Sequence, residues 1–135
     1  MNKATRTFAA LQGCLLASVA TAAGQEEAPA VPSGLSIQLQ EYFVEPQPDG
    51  ALWARFRFVA PALAEGVSFA KVEQDLPSLC AQVALLRLSQ AGQTVDQVVI
   101  SLASQPVAFG VADADIIQFF EAYRIENGLC IWEGF

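Results

Sequence analysis

The chain has 135 residues, enough for one small domain, and 53% of them are hydrophobic. Seven basic residues face fourteen acidic ones, for a net charge of −7. That balance excludes nucleic acid and anionic membrane surfaces, which need a basic face. The lack of histidine removes the commonest general base and transition-metal ligand.

The chain opens with "MNKATRT", which carries Lys3 and Arg6 and no acid. Residues 8–22 are uncharged, and Ala20-Thr21-Ala22 supplies a small-x-small cleavage pattern. Together these predict a secretory signal over residues 1–22, cut near Ala22 or Ala23. The apolar run of about 15 residues is short for a membrane span, which needs about 20. The mature chain therefore has no predicted transmembrane segment. "LQGC" at 11–14 resembles a lipoprotein processing box. Cleavage before Cys14 would leave only residues 8–13 as the apolar core, so a lipid anchor is disfavoured. Export predicts a periplasmic or secreted protein. Losing Lys3 and Arg6 leaves five basic residues against fourteen acids, a mature net charge of −9.

Of the three cysteines, Cys14 leaves with the signal, and Cys80 and Cys130 remain. In an oxidising compartment an even count reads as a bridge, and two cysteines allow one intramolecular pairing. Two buried thiols or a redox-active pair are the alternatives. Nothing resembling Cys-x-x-Cys supports the redox one.

Residues 23–34 mix Gly, Pro, Ala and acids without an apolar period and read as a flexible leader to a domain over 35–135. "LSIQLQEYFVE" (35–45) alternates, with Leu35, Ile37 and Leu39 on one face, and predicts a strand. After the turn residues "PQPDG", "ALWARFRFVA" (51–60) alternates again. Leu52, Ala54, Phe56 and Phe58 face one way, and Trp53, Arg55, Arg57 and Val59 the other. Residues 75–92 change period. Leu76, Leu79, Cys80, Val83 and Leu86 share one helical face, with Asp75 as N-cap and Gly92 as stop. "DQVVISLAS" (96–104) is apolar on both faces and predicts an interior strand. "PVAFG" (106–110) is read as a short edge segment. Residues 113–121 fit helix or strand. Asn127-Gly128 predicts a two-residue hairpin with Ile125 opposite Cys130 and Tyr123 opposite Trp132. Cys80 and Cys130 then meet, and the bridge ties the helix to the last hairpin. The expected fold is α+β, an antiparallel sheet of about five or six strands with one packed helix, in the order ββαβββ.

The sequence lacks a nucleophile elbow, a phosphate-binding loop, a dinucleotide fingerprint and zinc-ligand spacing, so no cofactor or metal is expected. Trp53, Arg55 and Arg57 form a stripe that suits an anionic ligand, or a strand face paired to Glu41 or Glu45. Asp113 and Asp115 resemble a fragment of a calcium loop but read better as a turn. Glu121, Glu126 and Glu133 lie near Arg124 on the hairpin and read as surface ion pairs, or as the source of a glutamate pair for a small hydrolase using Glu121 or Glu133. Glu121, if partly buried beside Tyr123, needs a partner.

The stretches "DLPSLC", "DQVVISLASQPVAFG" and "QFFEAYRIENGLCIWEGF", within roughly the last 60 residues, resemble a family of small exported bacterial proteins of uncharacterised function. The resemblance implies export and agrees with the disulfide. It implies no activity and assigns no functional residue. The expectation is a non-catalytic protein whose partner is another envelope protein. The alternatives are an anion-binding module using Trp53, Arg55 and Arg57, or a carboxylate-dependent hydrolase.

Overall fold

Alternation of apolar and polar residues builds the strands of this protein, and a helical crossover sets their order. The computed structural model describes residue 13 and residues 28–134. The predicted signal segment, Gly13 apart, lies outside the described residues. Five strands, β1 (Gln38–Pro46), β2 (Leu52–Val59), β3 (Gln97–Ala103), β4 (Gln118–Glu126) and β5 (Leu129–Glu133), form one sheet in the order β1-β2-β3-β4-β5. Neighbours pair antiparallel except β2 and β3, which are parallel. The class and the one main packed helix are as expected, but the sheet is mixed and not antiparallel throughout. The cause is the helix. A helical crossover returns the chain to the end of the sheet where β2 began, so the adjacent strand runs the same way.

That crossover holds a 3₁₀ turn (Pro61–Glu65), a short helix α1 (Phe69–Val72) and a longer helix α2 over residues 75–90. α2 is α-helical over Asp75–Leu79, π-helical over Cys80–Ala84 and α-helical again over Leu85–Gln90. Leu76, Cys80, Ala84 and Leu88 are all buried, at a spacing of four. In a regular α-helix that spacing drifts about 40° per step. The wider π turn absorbs the drift and keeps these residues on the sheet. It also corrects the predicted face: Leu86 is turned outward and 55% exposed, and Leu88 takes its place in the core.

Asp75 is not the helix N-cap. Gln74 holds that position, and Asp75 is fully buried. Its carboxylate accepts hydrogen bonds from the Ser33 backbone N–H (2.9 Å) and hydroxyl (2.5 Å). Val31 packs on the core, and Gln82 donates to the Ala30 carbonyl. Residues 30–35, partly assigned to the leader from sequence, thus lie against α2.

One face of the sheet carries the core: Ala54, Phe56 and Phe58 of β2, Val98, Ile100 and Leu102 of β3, and Tyr123 of β4. In β1 a bulge falls between Leu39 and Glu41. Leu39 packs on the core, and beyond the bulge so do Tyr42 and Val44. The extra residue flips the alternation, which moves Glu41, Phe43 and Glu45 to the opposite face.

The last hairpin has the predicted register, Ile125 with Cys130 and Tyr123 with Trp132. Asn127 (φ 51°) and Gly128 (φ 74°) both take the positive φ that a type I′ turn requires. Cys80 and Cys130 are disulfide-bonded, with Cα atoms 6.3 Å apart. Residues 106–110, read as an edge segment, are not a strand. They belong to a loop after β3, and residues 113–117 form turns before β4 begins at Gln118.

Candidate functional site

The bulge in β1 decides what becomes of the Trp53, Arg55 and Arg57 stripe. It places Glu41 directly across from Arg57, and Glu45 across from Trp53. Glu41 accepts a short hydrogen bond from Arg57 Nη1, and Glu45 accepts one from Arg55 Nε at 2.5 Å. The Arg55 bond holds the Glu45 carboxyl below its usual 4.5. The loop after β3 then folds over both arginines. Arg57 donates to the Val107 carbonyl at 2.8 Å, and the Phe109 ring lies 4.9 Å from the Arg55 guanidinium and 5.6 Å from that of Arg57. Gln40, the bulge residue, donates to the same Val107 carbonyl at 3.0 Å. Trp53 stacks on Arg55 at 5.4 Å. The structure brings the three predicted residues together, but each arginine already holds a carboxylate.

The other sequence candidates separate. Ala122 pairs with Glu133 across the last hairpin, so Glu133 lies on the open face and Glu121 on the helix face. Glu133 accepts from Gln97 Nε2 at 3.0 Å and lies 3.6 Å from Arg124. The Asp113 carboxylate accepts from the Asp115 backbone N–H at 2.9 Å, as in an Asx turn. Among the described residues no cluster of three or more metal-ligating side chains forms.

What does converge lies on the helix face, between the helices and the β4–β5 hairpin. A cleft of about 280 Å³ is lined by Glu73, Gln74, Pro77, Glu121, Tyr123 and Trp132. Past the disulfide a second cleft, of about 390 Å³, has apolar walls from Leu85, Leu88, Val95 and Ile125. Cys80 lies between Pro77 and Leu85 on the helix, so the bridge separates the two.

In the first cleft the Tyr123 ring is core, and its hydroxyl donates to Glu121 Oε2 at 2.5 Å. Burial, and then the Glu121 carboxylate, push the phenol pKa well above its ordinary 10.0. The predicted need of Glu121 for a partner is met by this hydroxyl. Trp132 remains 61% exposed and leans over Gly134, where a Cβ would come within 3.1 Å of the indole. Among the described residues Glu73 has no side-chain hydrogen-bond or ion-pair partner, and no Lys or Arg lines the cleft. The cleft thus offers two carboxylates and an indole, the groups that hold an organic cation.

Sequence reasoning named Glu121 but missed Glu73. The available signal was the hairpin register, which puts Tyr123 and Trp132 on the face that Cys80 must reach. The residues about two helical turns before Cys80 would have been the place to search.

Fold and site together define a small disulfide-braced α+β protein with a carboxylate- and aromatic-lined cleft beside a sheet edge that is unpaired among the described residues. The chain belongs to DUF6497, a family of unknown function, whose model matches residues 13–135. No curated protein and no solved structure matches it.

Proposed function

We propose that this is an exported envelope protein that works by binding another protein and not by catalysis. The reading is carried by Trp132, a large indole left 61% exposed on an edge strand. Exposed aromatics anchor protein interfaces, and an unpaired strand edge is a ready template for a partner chain. The disulfide holds that edge against the helix, so the surface is pre-organised. The basic, apolar, small-residue pattern of residues 1–22 supports export to the periplasm or beyond, and the disulfide is compatible with it.

The competing readings have less support. An anion clamp at Trp53, Arg55 and Arg57 would have to displace Glu41 and Glu45. A hydrolase built on Glu121 and Glu133 would have its two carboxylates on opposite sides of the sheet.

Photo-cross-linking in the producing cell tests the proposal. The protein keeps its own signal and carries a benzophenone side chain in place of Leu129, at the start of β5. The expected result is one dominant protein adduct that weakens in a Trp132→Ala background. It should be missing when the probe replaces Leu86 on the outer side of α2. Equal labelling from both positions, or none from β5, overturns the reading. Sequencing of the exported form should find Ala23 or Gly24 first, and an uncut chain would refute the export assignment.

A further inference from the structure

We propose, resting on the protein-binding reading above, that the partner is an extended segment which pairs with β5 and places a lysine or arginine in the Glu73–Glu121 cleft. The argument begins with the hairpin. Its turn has two residues, so Glu126 and Leu129 form a hydrogen-bonded pair, and the pairs alternate from there. Ile125 with Cys130 and Tyr123 with Trp132 are then non-hydrogen-bonded pairs. The backbone N–H and C=O groups of Cys130 and Trp132 accordingly point away from β4, toward the free edge. An added strand would take its hydrogen bonds there.

Register fixes what its side chains meet. A residue directly across from Trp132 projects to the same face as Trp132. That face holds Tyr123 and the cleft. Glu121 stands on β4, one strand further in, so only a long side chain laid along the indole reaches it. Strand spacing of about 4.8 Å makes lysine and arginine the side chains of suitable length. Charge selects the same two. Among the described residues the cleft carries Glu73 and Glu121 and no basic lining residue, and the whole chain is acidic. An exposed indole stabilises a cation laid on its face. Tyr123 holds one Glu121 oxygen and leaves the other for a ligand.

The test uses the disulfide-intact chain from residue 23 and four immobilised pools of seven-residue peptides. Each pool is random except for a central Arg, Lys, Gln or Glu. The Arg and Lys pools should retain about tenfold more protein than the Gln and Glu pools, the scale of a close charge pair. The preference should shrink as salt rises, because the cleft is open to solvent. It should vanish in the double variant Glu73→Gln, Glu121→Gln. The double variant Glu126→Gln, Glu133→Gln removes the same charge from the other sheet face and should keep it. Urea melts of both variants confirm folding. Equal retention of the four pools, retention of none, or a preference that survives Glu73→Gln with Glu121→Gln overturns the inference. An adduct from β5 in cells without this cation preference would leave the binding reading standing and remove only this inference.

Discussion

Ser33 and Asp75, 42 positions apart, are joined by two hydrogen bonds to one buried carboxylate. The contact seats the chain before β1 on the start of α2. A fully buried carboxylate must have its oxygens satisfied, and Ser33 supplies two donors. Asp75→Ala should therefore lower stability by about 2 kcal/mol, since it strands the Ser33 groups and opens a gap. Ser33→Ala removes one donor and should cost about 1 kcal/mol. Urea unfolding gives both numbers. Hydrogen exchange should show the Ser33 amide losing protection in Asp75→Ala while the amides of β3 keep theirs. If β3 loses as much, the contact is part of the global core and not a local latch.

The Cys80–Cys130 bridge closes a loop of 50 residues. In the chain-entropy model, opening such a loop costs roughly 4 kcal/mol. A domain of this size has only about 5–15 kcal/mol to lose. The double variant Cys80→Ser, Cys130→Ser should melt far below the parent, and reducing agent should bring the parent down to match. Alkylation of the protein purified without reductant should label no thiol, and alkylation after reduction should label two. Labelling without reduction would contradict the bridge.

Arg57 and Arg55 sit on the same strand face with the same kind of partner, yet they should behave differently. The Arg57 side chain is 7% exposed and that of Arg55 is 21% exposed. Arg57 also holds the Val107 carbonyl. Arg57→Ala leaves Glu41 without its donor and the Val107 carbonyl with Gln40 alone, and should cost about 2 kcal/mol, with the loop after β3 losing exchange protection. Arg55→Ala, nearer to solvent, should cost about 1 kcal/mol and leave that loop in place. Equal losses from the two would mean that Phe109, which touches both, and not the Val107 bond, anchors the loop.

Local chemistry was legible in the sequence, and long-range geometry was not. Asn127-Gly128 fixed the hairpin register because a type I′ turn needs those residues, and register then placed Cys130 and Trp132. The cysteine count fixed the bridge. The direction of β3 was missed because alternation reports faces and not strand sense. The β1 bulge was missed because one inserted residue leaves the composition unchanged. Glu73 was missed because a cleft lining is a tertiary property. The π turn was missed because the 3.6-residue period was extended straight through Cys80, which left Leu86 on the wrong side. This last point is measurable. Leu88→Ala should cost about 2–4 kcal/mol, as a buried leucine does. Leu86→Ala should stay within about 0.5 kcal/mol, as an exposed one does. A straight α-helix would narrow that difference.

Tyr123 makes the stability of the fold depend on pH at the alkaline end. Its phenol is buried and donates to Glu121, and both effects raise its pKa in the folded state above the ordinary 10.0. In the unfolded chain the phenol ionises near that ordinary value. Above it the unfolded state has lost a proton that the folded state still holds, so stability falls as pH rises. Below it the contribution is fully present. The slope contributed by one such group approaches about 1.4 kcal/mol per pH unit. Tyr123→Phe removes the titration. At pH 7 the variant should be less stable by about 1 kcal/mol, the value of one hydrogen bond. Between about pH 10 and 11 its stability should decline more gently than that of the parent, and the two curves should converge or cross. Urea melts of both proteins at half-unit pH steps settle the point. Parallel curves would mean that the phenol ionises as readily in the fold as in water, and that its bond to Glu121 is not maintained in solution.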